Sequence, residues 1–301
     1  MTANPAVETH RRRAKISWFQ VLICLFLIAM ALVCVYPMWY TLIISISDKA
    51  KAMAGEVYIL PKGFNLIAYR KLLSDTTFFD AFFVSVKRAV LGCALNMALM
   101  LLTAYPLAMP ENRFPRKKYY VWFLVFNMLF YGGMIPAFIN IKNLGMYNTI
   151  WSLVLPGALP IYNTFLLMNF FKNVPYDMNE SATVDGASAL RILFQIYVPV
   201  SLPALATVLL FCFVGHWNSW FDGLIYINQP QNQPLQTLIY QLNVRINAQS
   251  MTSEEIRELS VLSSETVNAA KIIIALILIM AIYPFIQRYF VTGLTLGAVK
   301  E

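Results

Sequence analysis

Charged residues are scarce in this sequence. Of its 301 residues only 13% are Asp, Glu, Lys or Arg, while 59% are hydrophobic, and soluble domains are typically about 25% charged. A chain this apolar is predicted to be a polytopic membrane protein in contact with lipid, and a soluble fold is excluded. The net charge of +8 is then interpreted as a signal for membrane orientation, because Lys and Arg set which side faces the cytoplasm. We expect no nucleic-acid partner.

The residues that build metal and nucleotide sites are also few. The sequence contains two histidines and four cysteines. The cysteines lie inside apolar runs, where the plain interpretation is a small buried hydrophobic residue. No Gly-x-x-x-x-Gly-Lys-Ser/Thr run, His-Glu-x-x-His helix or Cys-x-x-Cys pair is present, and these motifs carry nucleotide or metal chemistry. We therefore predict no catalytic residue, metal or bound cofactor in this chain, and a transport subunit whose energy comes from a partner.

Two other function classes are compatible with an apolar chain. A secondary transporter driven by an ion gradient would need repeats with broken helices and carboxylates at the membrane midplane, whereas Asp222 stands alone near the expected outer edge. A membrane-embedded enzyme would need a cluster of His, Asp or Glu at a membrane edge. Co-purification with an ATPase would argue against both alternatives.

Six charge-free runs are candidates for membrane spans, which need roughly 17–25 residues each. They are residues 16–47, 89–110, 119–141, 143–171, 192–221 and 272–287. The last run has only 16 residues, but Lys271 and Arg288 at its ends can extend their charged groups to the membrane surface. The fifth span is expected near Pro203–Ile227, because the run from 192 begins in a surface loop. The first run is 32 residues long, so it is predicted to be a retained span and not a signal peptide, whose apolar region has about 7–15 residues. The predicted fold class is an all-α polytopic membrane protein with six transmembrane helices.

Six spans place both termini on one side of the membrane, and Lys and Arg select that side. With a cytoplasmic N-terminus, the inner segments contain 12 Lys and Arg and the outer segments contain 8, which agrees with a positive inner face. We therefore predict cytoplasmic tails at 1–15 and 292–301 and a six-span domain at 16–291. Within the domain, residues 172–199 form a cytoplasmic loop and residues 228–270 form the longest external loop.

The predicted cytoplasmic loop contains a polar island, Asn179–Pro199, between two apolar stretches. Its first residues are expected to form a short helix that ends at Gly186, because glycine tolerates a left-handed backbone. Ser188 can then cap a second helix, and Pro199 and Pro203 mark the bend into the next span. Two short helices set at an angle on the membrane surface would form a knob that another protein can grip.

The spacing of this island resembles the EAA loop of bacterial ABC importer permeases, in which Glu-Ala-Ala is followed by three residues, Gly and an apolar stretch that ends in Pro. The final Gly293–Lys300 is similar to the tail of sugar-importer subunits of the maltose-importer type. Pro61–Leu73 and Gly215–Asp222 resemble the branch that imports oligosaccharides from polysaccharide breakdown, in particular the second membrane subunit of the bacterial alginate importer. By this resemblance, the residues that couple to the ATPase are Glu180, Ser181, Ala182, Asp185, Gly186 and Ala187.

The resemblance implies a type I ABC importer permease fold with a cytoplasmic coupling helix in the bacterial inner membrane. It implies four partners: a second homologous permease, an ABC ATPase dimer that binds ATP and Mg, an extracytoplasmic solute-binding protein and an oligosaccharide substrate. The tail residues Gly297 and Lys300 are expected to contact the ATPase, and the external loop 228–270 is expected to contact the binding protein.

Polar and aromatic residues inside the predicted spans are candidates for the substrate path. Polar groups at such depth are costly unless they face protein or a water-filled cavity, and aromatic rings beside amides suit a sugar. The candidates are Tyr131, Asn163, Trp217, Asn218 and Trp220. An alternative interpretation is an interfacial Trp/Tyr belt with polar contacts between helices.

Overall fold

The computed structural model describes residues 18–245 and 265–298. It is 76% helix, and no strand occurs in the described residues. The helices are α1 (Trp18–Ser45), α2 (Lys49–Met53), α3 (Ile67–Leu73), α4 (Thr76–Ala108), α5 (Lys117–Leu129), α6 (Met134–Asn143), α7 (Trp151–Val154), α8 (Ile161–Lys172), α9 (Tyr176–Val184), α10 (Ala189–Ile192), α11 (Val198–Val200), α12 (Leu202–Asn218), α13 (Phe221–Tyr226), α14 (Leu235–Arg245) and α15 (Glu265–Ala298). A π-helical turn, Leu193–Tyr197, joins α10 to α11, and a 3-10 turn covers Pro230–Asn232. The all-α prediction is confirmed.

Two helices, α1 and α4, are each long and apolar enough to cross a membrane. Two bent pairs meet the same requirement if each pair forms one span. These are α5 with α6, bent by 109°, and the segment Ala189–Val200 with α12, bent by 88°. The described residues thus provide up to four candidate spans by length and composition, and the count of six stays a prediction. The second bend confirms the direction change expected between Pro199 and Pro203.

The predicted third and fourth spans are not continuous helices. The third is interrupted between α5 and α6, where Gly133 has a φ of +97°, a left-handed conformation that glycine adopts without a Cβ clash. The fourth is interrupted between α7 and α8, in a stretch that contains Pro156 and Pro160. Proline lacks a backbone N–H and its ring clashes with the preceding helical turn. A long apolar run therefore does not guarantee one unbroken helix here.

Helix α4 begins at Thr76, well before the predicted span at 89. Asp75 caps it, since its side chain accepts hydrogen bonds from the backbone N–H groups of Thr77 (3.0 Å) and Phe78 (3.4 Å). Lys87 and Arg88, which limited the apolar run, lie inside this helix. The last helix likewise covers 265–298 and exceeds the predicted 272–287.

The main hydrophobic core lies where α4 packs against α8 and α12. Met100, Ala104, Leu167 and Val208 are fully buried there. A second cluster joins α3, the start of α4, Trp217 and α15. Helix α1 contacts α15, but its residues 18–39 are exposed. Helix α4 is therefore the central element of the fold, and both the loop at 172–199 and the polar residues described below are organised around it.

Candidate functional site: a coupling face and a polar cavity

The predicted polar island folds into two short helices joined by a tight turn, as expected. Helix α9 ends at Val184, and Gly186 follows with a φ of +79°. The N–H of Ala187 donates to the carbonyl of Ala182 (2.9 Å) and the N–H of Gly186 donates to that of Thr183 (3.1 Å), which satisfies carbonyls at the helix end. Ser188 then caps α10, because its Oγ accepts from the N–H of Arg191 (3.3 Å).

The outer surface of these helices is what we call the coupling face, residues 176–200. Glu180, Ser181, Asp185 and Gly186 are exposed, whereas Ala182 and Ala187 are half-buried against the main core. Large apolar side chains are exposed beside these polar groups: Met178, Val184, Leu190 and Phe194. Exposed apolar side chains rimmed by charged residues are typical of a surface that contacts another protein or the membrane.

The coupling face is fastened to the core by Asn179, which is 6% exposed. Its Nδ2 donates to the hydroxyls of Tyr105 (3.3 Å) and Tyr197 (3.4 Å) and lies 3.5 Å from Sδ of Met109. The rings of Tyr105 and Tyr197 meet edge to face with their centroids 5.0 Å apart. This group, which we call the Asn179 node, links α9 to α4 and to the π-helical turn.

A cavity of about 260 Å³ lies on the other side of the core, between α4, the α7–α8 turn, α12 and α13. Its polar lining residues are Arg88, Asn96, Ser152, Asn163, His216, Ser219 and Asp222. The walls also contain Phe211, Tyr226 and two prolines. Amides and hydroxyls beside apolar surfaces suit a polar, ring-shaped ligand or ordered water.

An ion pair crosses this cavity from α4 to α13. Arg88 forms a two-pronged contact with the Asp222 carboxylate, and its Nη1 also donates to the carbonyl of Ser219 (3.2 Å). Asp222 Oδ1 further accepts from Ser219 Oγ (2.8 Å) and from the N–H of Gly223 (2.9 Å). The Arg88 side chain is 3% exposed and that of Asp222 is 25% exposed. The charges neutralise each other in a largely buried site.

About two helical turns beyond Arg88 on α4, Asn96 lies 3.3 Å from Nε2 of His216. With its amide oriented to donate to the carbonyls of Gly92 (2.9 Å) and Ala158 (3.2 Å), Asn96 accepts this hydrogen bond through its oxygen. The His216 ring lies directly on Gly92, where a Cβ would collide with it. Gly92 is therefore needed for the close approach of α12 to α4.

The structure does not bring the predicted path residues together. Asn163 lines the cavity and donates to Sγ of Cys212 (3.6 Å). Tyr131 is 76% exposed in the break between α5 and α6, and Asn218 is exposed at the end of α12. Trp220 stacks on Tyr240 with centroids 3.9 Å apart. Of the five candidates, one therefore lines the cavity.

Trp217, which we predicted to line the substrate path, is buried inside this chain. It is 1% exposed, packs against Phe82 and Phe213, and donates from Nε1 to the carbonyl of Ala275 (3.2 Å). Burying the indole with its N–H paired stabilises the contact of α12 with α15. Trp217 is thus a packing residue within this chain and does not line the cavity.

Two other predicted contacts fall at or beyond the limits of the described residues. Gly297 belongs to the last turn of α15, and Lys300 lies outside the described residues. The segment 228–270, which we predict to be an external loop, is described to Arg245 and again from Glu265.

The sequence interpretation missed the Asn179 node and the polar stripe on α4. A signal for the stripe existed, since Arg88, Gly92 and Asn96 follow one another at intervals of four residues and must share one helix face. No comparable signal marked Asn179, because its partners Tyr105 and Tyr197 are distant in sequence.

Known proteins that resemble this chain agree with the predicted family. The family described as "Binding-protein-dependent transport system inner membrane component" matches residues 88–295. The polygalacturonan/rhamnogalacturonan transport system permease protein YtcP of Bacillus subtilis (strain 168) is 36% identical over 94% of this chain and 98% of its own length. The galactooligosaccharides transport system permease protein GanQ of the same organism is 28% identical over 92% of this chain and 94% of its own length.

A solved structure is similar over nearly the whole chain. It is a crystal structure of a bacterial ABC transporter involved in the import of the acidic polysaccharide alginate, with 30% identity and a TM-score of 0.82 over 90% of this chain and 96% of the compared chain. The type I permease fold expected from the resemblance is thereby confirmed. This protein belongs to the family of inner membrane components of binding-protein-dependent transport systems.

Proposed function

We propose that this chain is one permease subunit of an ATP-driven oligosaccharide importer and that the coupling face docks it on a separate ATPase. The observation that carries the proposal is the form of residues 176–200, two short helices with an exposed apolar surface and an exposed carboxylate at Glu180. In a connector that contacts only water, the exposed side chains of Val184, Leu190 and Phe194 would be unfavourable. A docking surface removes such side chains from water when the partner binds.

The remaining parts of the complex follow from this role. An ATPase dimer binds ATP and Mg, and this chain binds neither. A second, homologous permease completes the membrane domain. An extracytoplasmic solute-binding protein delivers substrate to the external side, where loop 228–270 contacts it, and both termini lie in the cytoplasm so that Gly297 and Lys300 reach the ATPase. The excess of Lys and Arg on the inner segments supports this orientation.

The substrate class is an oligosaccharide from an acidic polysaccharide. This choice is supported by similarity to a permease named for polygalacturonan and rhamnogalacturonan and to a transporter of the acidic polysaccharide alginate. A neutral galactooligosaccharide is the second candidate, favoured by GanQ. The path runs beside Asn163, whose amide lines the cavity. The other candidates lie at the surface of this chain: Tyr131 and Asn218 are exposed and Trp220 is half-buried. They would line the substrate path only if the second permease packs against this surface and closes the path.

The transport cycle follows two-state reasoning. ATP binding closes the ATPase dimer and moves the docked coupling faces together, which closes the inside of the membrane domain and opens the outside. ATP and the loaded binding protein both bind the outward-facing state more tightly than the inward-facing state. This difference in affinity shifts the equilibrium towards the outward-facing state. An ion-gradient mechanism is less well supported, because the carboxylate of Asp222 is already neutralised by Arg88.

Two substitutions on the coupling face test the proposal. Glu180→Ala removes a carboxylate that docking would bury against a basic group, and breaking a buried ion pair costs roughly 3–5 kcal/mol. Gly186→Asp places a side chain where φ is +79°, a conformation that non-glycine residues adopt with strain. We expect both variants to abolish uptake in vesicles and to reduce recovery of the ATPase with the membrane subunits.

The matched control is Glu111→Ala, which removes an exposed carboxylate from a neighbouring loop that is also predicted to be cytoplasmic. It should leave uptake and ATPase recovery unchanged. Normal uptake in both coupling-face variants would contradict the docking assignment. The substrate is tested separately by ATPase stimulation of the reconstituted complex, using binding protein loaded with oligogalacturonate, oligoalginate or galactooligosaccharide. Stimulation by the neutral sugar alone would overturn the acidic class.

A further inference from the structure

Helix α4 physically connects the coupling face to the polar cavity. It contains 33 residues, which is about 50 Å of helix at 1.5 Å per residue. Tyr105, near one end, belongs to the Asn179 node, while Asn96 and Arg88 line the cavity. The helical rise separates Tyr105 from Asn96 by about 14 Å and from Arg88 by about 25 Å.

The Asn179 node is chemically unusual for its surroundings. Its amide is buried among apolar and aromatic side chains of the main core. Burying an amide gains little stability even when it is hydrogen-bonded, and a well-packed apolar group of similar size would do as well or better. The amide instead fixes the relative position of three elements, because hydrogen bonds are directional. Its Nδ2 donates to the hydroxyls of Tyr105 on α4 and Tyr197 on the π-helical turn.

We propose that Asn179 is a positioning residue that makes α4 move with the coupling helix, so that docking and ATP-driven movement at α9 reach the cavity through α4. This inference rests on the proposed function, since it takes the coupling face as the ATPase contact. Without the amide, α9 would still pack on the core but would be free to shift against α4.

The far end of α4 has the contacts needed to pass the movement on. The His216 ring of α12 lies directly on Gly92 and is hydrogen-bonded to Asn96. Arg88 holds the start of α13 through Asp222. Close-packed interiors transmit displacements because they contain few voids that could absorb them. A shift of α4 therefore moves the α12–α13 wall of the cavity.

A thiol inside the cavity reports on this movement without any sugar. Cys212 is buried and lines the cavity. In a background in which Cys24, Cys34 and Cys93 are replaced by alanine, the rate of Cys212 modification by N-ethylmaleimide is measured in the assembled complex, with and without ATP plus vanadate. Asn163→Cys in a background that also lacks Cys212 gives a second reporter on the same cavity. We expect ATP plus vanadate to change the rate at least about fivefold, within the range of typical coupling between sites.

Asn179→Leu should remove this ATP dependence while the ATPase still co-purifies with the membrane subunits. The matched control is Asn173→Leu, at an exposed asparagine just before α9, which should keep the full response. Adding Tyr105→Phe and Tyr197→Phe to Asn179→Leu gives an all-apolar node with no unpaired polar group. That triple variant should recover thermal stability but stay unresponsive to ATP, because it restores packing without the directional hydrogen bonds.

Three outcomes would overturn the proposal. They are a full ATP response in Asn179→Leu, recovery of the response in the triple variant, and no response at either cysteine in the otherwise unchanged chain. Failure of the ATPase to co-purify with the otherwise unchanged chain would contradict the proposed function itself, and it is visible separately from the labelling rates.

Discussion

The ion pair between Arg88 and Asp222 is unequally buried, and we expect its two members to be unequally important for stability. Removing one partner of a buried pair costs roughly 3–5 kcal/mol, because the other charge is left uncompensated. Asp222→Asn leaves a guanidinium that is 3% exposed, so the upper part of this range applies. Nε of Arg88 already lacks a hydrogen-bond partner among the described atoms, and without the carboxylate the guanidinium keeps its neutral contact with the Ser219 carbonyl, which does not balance its charge.

Arg88→Met should be milder, at about 1–3 kcal/mol. The Asp222 carboxylate is 25% exposed and keeps its hydrogen bonds from Ser219 Oγ and the N–H of Gly223. Replacing both partners, in Arg88→Met with Asp222→Leu, should recover most of the loss, because an apolar pair leaves no buried charge. The control is Glu56→Gln in the ion pair with Lys62, whose side chains are about half exposed, where a loss of at most about 1 kcal/mol is expected.

The assay is the thermal unfolding midpoint of the purified complex in detergent, measured for the four variants under one protocol. The expected order of midpoints, from lowest, is Asp222→Asn, Arg88→Met, and then the double variant together with the exposed-pair control. Equal losses for the two single variants would refute the argument from unequal burial. A double variant as unstable as Asp222→Asn would show that side-chain shape, and not charge, is what the pair contributes.

Two further substitutions test the packing around the cavity. Gly92→Ala places a Cβ against the His216 ring and should cost about 1–3 kcal/mol by overpacking. Adding His216→Ala should recover part of this loss, and a destabilised double variant with no recovery would contradict the close-approach role. Trp217→Ala removes a side chain that is 1% exposed and should cost about 3–5 kcal/mol. Trp220→Ala, at a half-buried position, should cost less, and equal unfolding midpoints would argue against Trp217 as a core residue.

Breaks inside apolar runs explain most differences between the predicted and observed helices. The spans were predicted from runs without charged residues, and residues 119–141 and 143–171 contain no Asp, Glu, Lys or Arg. The chain nevertheless turns at Gly133 and in the stretch from Pro156 to Pro160. The glycine and prolines were visible in the sequence, but their presence did not prove that the helix breaks there. In a membrane, neighbouring helices can pair the freed backbone groups, so that the helix is kinked but continuous.

The sequence by itself determined the features that depend on composition or on a few neighbouring residues. Low charge and long apolar runs specified a membrane protein, since lipid accepts little else. The turn of the coupling face was predictable because Gly186 and Ser188 act through their own backbone and side chain, which makes the signal local.

Only the tertiary structure decided which distant residues meet. Asn179 and Tyr105 are 74 positions apart, and Arg88 and Asp222 are 134 apart. No spacing rule connects residues at such separations, because their meeting depends on how α4, α8 and α12 pack. The same packing buried Trp217 against α15 and left Asn163 at the cavity. In the sequence, Trp217 and Asn163 were both candidates of the same kind, an aromatic and a polar residue inside runs without charge. Their positions differ because α15 covers the face of α12 that contains Trp217, whereas the face of α8 that contains Asn163 borders the cavity.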